Sequence, residues 1–127
     1  MKPKHIYLLL LLLVLTVGCS KGFDDRLRGQ WQLREYSSGA EQKQFDEVFY
    51  KFSRQVLLVE APGGSAYGQF IQNGDSLILE LPDNETLPAA FRAFGWTSTH
   101  ERVAIRSLSR NKLELTQGDK YWKFRKF

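Results

Sequence analysis

Few residues of this 127-residue chain are placed to do covalent or acid-base chemistry, and their scarcity narrows its function. There are two histidines, His5 and His100, and one cysteine, Cys19. His5 lies in an apolar leader, so His100 alone could serve a metal or a nucleophile in the rest of the chain. A zinc site built on two or three histidines is then excluded within one chain, and a serine triad would have to use His100 as its base. A polar residue at a loop end is its simpler reading. Gly63 and Gly68 have the spacing of a phosphate-binding loop, but Gln69 and Phe70 stand where that loop requires Lys and Ser or Thr. Glu35, Glu60 and Glu80 would make a carboxylate pair only if two of them entered one cavity; as outward strand positions they need no further role. No catalytic residue and no metal ligand is assigned, no cofactor is expected, and the chain does not read as an enzyme.

The remaining reactive group is Cys19, which closes a segment of distinctive composition. Lys2, Lys4 and His5 precede an apolar run over residues 6–17 that ends at Gly18. A basic start, an apolar middle and a small residue form a secretory signal, and the run is shorter than the ~20 residues a membrane-spanning helix needs. An unpaired cysteine at the cutting point of such a signal calls for an explanation of its own.

Leu15-Thr16-Val17-Gly18-Cys19 resembles the lipobox of bacterial lipoproteins. The resemblance implies cleavage before Cys19, acylation of its thiol and new amino terminus, and attachment to a membrane. Ser20 is not the aspartate that retains such proteins in the inner membrane, which favours the outer membrane of the cell envelope. One acyl chain binds weakly and several bind stably, at about 0.8 kcal/mol per buried methylene. Acylation also consumes the only thiol, which excludes disulfides and thiolate metal sites. Without residues 1–18 the chain keeps 109 residues with 16 Lys and Arg against 14 Asp and Glu, so its net charge falls from +4 to +2. Nucleic acid is not an expected partner. The organisation expected is a signal peptide over residues 1–18, a lipidated tether over 19–28 and one domain over 29–127.

That domain alternates. Trp31 and Leu33 oppose Gln30, Gln32 and Arg34, and Val48, Tyr50 and Phe52 oppose Glu47, Lys51 and Ser53, the period-two pattern of half-buried strands. Strands over residues 55–60 and 66–72 follow, then Asn73-Gly74 as a hairpin turn and Leu77, Leu79 and Leu81 on one face. Pro88 before an Ala- and Phe-rich stretch, with Gly95 after it, marks a short helix. There Phe91 and Phe94 share a face that plugs or packs on a sheet, or forms a lid, and Trp96 fits either role. Val103 and Ile105, Leu113 and Leu115, and Trp122 and Phe124 define the last three of eight strands. Lys120, Lys123, Arg125 and Lys126 form a local basic cluster. It reads as protection of an outward strand face, with contact to anionic headgroups as the alternative. Asn84-Glu85-Thr86 matches a glycosylation sequon by chance.

Eight short sequential strands fit a sandwich or an up-and-down barrel. Gly29-Gln30-Trp31, opening the first strand, resembles the Gly-x-Trp signature of lipocalins, and the leader together with residues 121–127 is similar to small lipocalin-like lipoproteins of Gram-negative bacteria. The resemblance implies an all-β, eight-stranded, up-and-down antiparallel barrel with one short helix between strands five and six. It also implies an arginine over Trp31, for which Arg125 is the candidate, although strand parity sets Arg125 opposite Trp122 and Phe124. Trp31, Leu33, Val48, Tyr50, Phe52, Leu79, Ile105, Trp122 and Phe124 would line a ligand cup or fill a core. The expected partners are a membrane through lipidated Cys19, and a small hydrophobic ligand or an envelope protein.

Overall fold

The computed structural model describes residues 25–82 and 86–127. The signal segment, Cys19, most of the tether, and Asn84 and Glu85 of the sequon lie outside the described residues. Nine strands run β1 (Gly29–Ser38), β2 (Glu41–Gln44), β3 (Phe49–Ser53), β4 (Val56–Ala61), β5 (Gly64–Asn73), β6 (Ser76–Glu80), β7 (His100–Leu108), β8 (Lys112–Gln117) and β9 (Lys120–Lys126). Each is antiparallel to its neighbour, and β1 pairs with β9, placing Leu33 beside Phe124 and closing the sheet. Among the described strands closure leaves one open side, that of β2, which pairs with β1 alone.

Nine segments make eight staves, because β2 and β3 share one. β1 pairs with β3 along Gly29–Gln32 and with β2 along Glu35–Ser38. At the break between them the backbone N–H of Leu33 donates to Val48 O (2.8 Å) and that of Phe45 to Arg34 O (3.0 Å). The register of β1 against β9 also shifts between Leu33 and Glu35, so Arg34 is a bulge facing the break. Counted as staves, the short helix falls between the fifth and sixth, as expected. It is a 3-10 helix, Ala89–Phe94.

The expected hairpin turn is displaced by one residue. Asn73 pairs with Ser76, so Gly74 and Asp75 form the turn, and of the two only Gly74 takes positive φ (62°).

The alternation holds where it matters. Leu57 and Val59, Phe70, Leu77 and Leu79, Val103, and Leu113 and Leu115 all point inward and are buried, with Phe52 against Phe70 at 4.9 Å between ring centres. Each fully buried side chain of this size contributes roughly 1.5–3 kcal/mol. Among the described residues no helix is long and apolar enough to cross a membrane.

Candidate functional site

The two ends of the barrel are built differently. At the base, where the chain enters β1, Trp31 is fully buried and its indole N–H donates to Leu27 O (2.8 Å). Lys126 Nζ lies 4.5 Å from the centre of the Trp31 ring and donates to Arg28 O. Partial desolvation pulls the Lys126 ammonium below the ordinary lysine pKa. Gly29 makes this arrangement possible. Its φ is 121°, and a Cβ there would lie 2.6 Å from Lys126 Nζ, so the glycine both permits the backbone conformation and leaves room for the ammonium.

Arg125 does not take this place. It pairs with Gln32 and Lys112 and faces solvent, because residues of the same parity as Trp122 and Phe124 point inward and position 126 is the next of them. The cation on the tryptophan is a lysine one residue further on. The local basic cluster disperses in the same way: Lys123 Nζ sits 3.6 Å from Glu35, and Lys120 reaches the opposite end of the barrel.

At the mouth, the segment after β6 folds across the opening. Phe91 and Phe94 are buried with ring centres 5.3 Å apart, and Trp96 is buried beside them. Three hydrogen bonds tie this plug to the wall. Trp96 Nε1 donates to Tyr50 Oη (2.7 Å), Trp122 Nε1 to Phe94 O (2.8 Å), and Lys120 Nζ to Gly95 O (3.0 Å). Gly95 turns the chain with φ 97°, and a Cβ on it would come within 2.7 Å of Trp122 and 2.8 Å of Tyr36.

Glu101 fastens the far end of the plug. Its Oε1 accepts from the Thr97 N–H (3.1 Å), the Thr97 hydroxyl (3.0 Å) and the Ser98 N–H (3.1 Å), and its Oε2 accepts from Gln117 Nε2 (2.9 Å). Burial alone would raise its pKa, but these donors outweigh it and hold the carboxyl below the usual value. Tyr50 is pushed the other way. Its burial raises the phenol far above the ordinary range, only partly offset by the Trp96 N–H.

Eight of the nine expected lining residues, namely Trp31, Leu33, Val48, Tyr50, Phe52, Leu79, Trp122 and Phe124, are buried in one cluster. Ile105 is only partly buried and packs against the cluster, next to the shift in the register of β7 against β8 between Ile105 and Ser107. They fill the space rather than surround it. Between Tyr50, Leu79, Trp96, Glu101, Leu115 and Trp122 there is a cavity of about 10 Å³, the size of one probe sphere for a single water.

The residues considered for chemistry do not converge. Glu80 accepts from Gln69 on the outer face, Glu35 meets Gln42 and Lys123 there, Glu60 is exposed, and His100 lies at the mouth rim beside Thr99. Sequence reasoning passed over Tyr36, Gln32 and Glu101. Gln32 and Glu101 occupy positions that read as ordinary polar ones, and only the plug and the stave break bury them.

A closed eight-stave antiparallel barrel, sealed at the base by a tryptophan under a cation and opening at the other end toward a connecting segment, defines the lipocalin class of β-barrel. The sequence model of the Lipocalin-like domain matches residues 11–127, and the chain belongs to that family. A crystal structure of a lipocalin-like protein from Bacteroides uniformis is similar with TM-score 0.69 and 26% identity over 80% of this chain and 99% of its own. A crystal structure of an uncharacterized protein from Bacteroides eggerthii is similar with TM-score 0.68 and 25% identity, over the same shares. No curated protein matches the chain.

Proposed function

We infer that the protein is a lipid-anchored lipoprotein of the cell envelope whose lipocalin-like barrel is a filled module that acts through its outer surface. The observation that carries this reading is that buried side chains fill the barrel and leave, between Tyr50 and Trp122, a cavity of about 10 Å³, against the ~300–1,000 Å³ of pockets that bury small ligands. The anchoring half rests on Cys19 and its apolar leader.

A second reading is favoured by the plug. Phe91, Phe94 and Trp96 occupy the apolar mouth, the place an amphipathic ligand would take, and only a few hydrogen bonds hold them to the wall. A ligand that replaced those aromatic groups would turn the filled barrel into a cup.

Native mass spectrometry of protein taken from its own envelope, combined with titration of fatty acids and lysolipids against tryptophan fluorescence, separates the two. The filled module gives a bare mass and an unmoved spectrum. A retained lipid, with a red shift that vanishes in Trp96→Phe, overturns it in favour of plug displacement. For the anchor, the wild-type chain takes up labelled fatty acid, and continued labelling of Cys19→Ala refutes acylation at that residue.

A further inference from the structure

The tether enters the barrel at its base, and the base carries a charge pattern that no continuous stretch of sequence displays. Four separate segments converge there: residues 25–28, the turn at 54–55 between β3 and β4, the turn at 109–111 between β7 and β8, and the end of β9. They bring Arg26, Arg28, Arg54, Arg110, Lys112 and Arg125 to one end, all exposed. Among the described residues the carboxylates at that end are Asp25 and Asp75, the first of them 3.9 Å from Arg28. At the mouth the balance reverses, with Glu41, Glu60, Glu80 and Asp119 beside Lys43, Arg92 and Lys120. Among the described residues the cationic excess is therefore concentrated at the base.

Exposed apolar side chains follow the same polarity. Of Val56, Tyr67, Ile71 and Phe127, the large hydrophobic residues left exposed among the described residues, three ring the base: Val56 opens β4, Ile71 lies two residues before the β5–β6 turn pair begins, and Phe127 follows β9. Val56 and Ile71 are walls of an open groove of about 800 Å³ whose rim carries Arg28 and Arg54. Cations beside exposed apolar groups are the composition of surfaces that settle into a headgroup layer.

Chain length says which surface is within reach. Six peptide steps separate Cys19 from Asp25, at most about 20 Å of chain. A ten-residue stave tilted by ~40° lifts the mouth roughly 25 Å above the base. An acyl group on Cys19 therefore holds the base against the bilayer, while the mouth points away or sideways.

We propose that the base is a docking face for an anionic bilayer surface, with Arg54 at the groove rim taking a lipid phosphate beside the apolar side chains of Val56 and Ile71. The inference rests on the anchoring reading for its geometry. Docking makes the orientation of the barrel definite: the sealed end sits in the headgroups and the plugged mouth faces the aqueous compartment.

The test uses the full chain in vesicles, with a single fluorescent label at Phe127→Cys on the base or at Asp119→Cys on the mouth, and quenchers carried by the lipid headgroups. Vesicles of phosphatidylcholine are compared with the same lipid containing about one quarter phosphatidylglycerol, where each cation near the surface strengthens partitioning roughly fivefold. The base label is quenched in the anionic vesicles and the mouth label is not. The double variant Arg54→Gln/Arg110→Gln lowers the docked-to-undocked ratio about 25-fold while its thermal unfolding is unchanged. Equal quenching of the two labels in anionic vesicles, or a base signal indifferent to loss of both arginines, overturns the proposal. The intact mass of each sample reports acylation of Cys19 independently. An unacylated chain refutes the anchor, and the same pair of labels in a Cys19→Ala background then decides docking without it.

Discussion

Replacing Tyr50 by phenylalanine removes one oxygen atom from the point where the plug meets the wall. The Tyr50 ring is 2% exposed and packs edge-on against Phe124 at 4.8 Å between ring centres, and nothing in that contact depends on the hydroxyl. The hydroxyl does accept the indole N–H of Trp96 at 2.7 Å. Without it a buried donor is left with no partner, at a cost of about 1–3 kcal/mol, which lowers the melting temperature of a domain of this size by roughly 5–15 °C. Trp96→Phe costs more, since it also removes buried ring area. The double variant takes away donor and acceptor together, so its cost should fall short of the sum of the single costs by about 1–2 kcal/mol. Urea titrations of the four proteins, followed by far-ultraviolet circular dichroism, measure this. Additivity within ~0.5 kcal/mol would refute the view that this bond fastens the plug. The same buried phenol gives a pH dependence. Its folded pKa is raised above the unfolded value of 10.0, so the folded state keeps a proton that the unfolded chain gives up, and stability is intact below pH 10.0 and falls as pH rises beyond it. Tyr50→Phe should flatten that alkaline limb.

Gly95→Ala forces a Cβ into a φ of 97° and against Trp122 and Tyr36, and should cost about 3 kcal/mol in a urea titration; a cost below ~1 kcal/mol would mean that the plug yields freely. Glu101 has a depressed folded pKa, so its contribution is present above about pH 4.5 and disappears as pH falls through the folded value. Glu101→Gln should therefore lower the melting temperature at pH 7 and weaken its fall below pH 4.5, and a variant with the wild-type acid profile would remove Glu101 from that role. Lys126→Met keeps the apolar stem but loses the charge above Trp31, for about 0.5–1 kcal/mol, whereas Arg125→Met should stay within ~0.5 kcal/mol of wild type. Equal effects of the two would undo the assignment of the base cation.

The staves were legible because alternation has a period of two and the interior is almost wholly apolar. Trp31, Leu33, Tyr50, Phe52, Trp122 and Phe124 announce their faces wherever the strand is regular. Legibility fails where the strand is not. β2 is exposed at all four positions, so it carries no apolar signal, and its pairing with β1 is set by the turn at Gly39 rather than by burial. The bulges at Arg34 and beside Arg106 shift parity in ways no pattern announces. Pro88 and Gly95 bracketed the helix correctly, yet its role as plug depends on the barrel's width, which is a property of the closed sheet. Lys126 was missed because the resemblance points to an arginine, although strand parity already set Arg125 opposite Trp122 and Phe124. The basic base was out of reach altogether, since its residues come from turns far apart in the chain, while the cluster that is continuous in sequence spreads along β9.

The seam between β1 and β9 also sets a timetable. Leu33 finds its partner only when Phe124 has been made, and Trp31 receives its cation from Lys126. Contacts between such distant positions form slowly, because a long loop must close before they are rewarded. Until residues 120–126 have been made, β1 lacks the strand that closes the barrel. The barrel therefore cannot close for almost the whole of its synthesis; its last strand is the one that locks it.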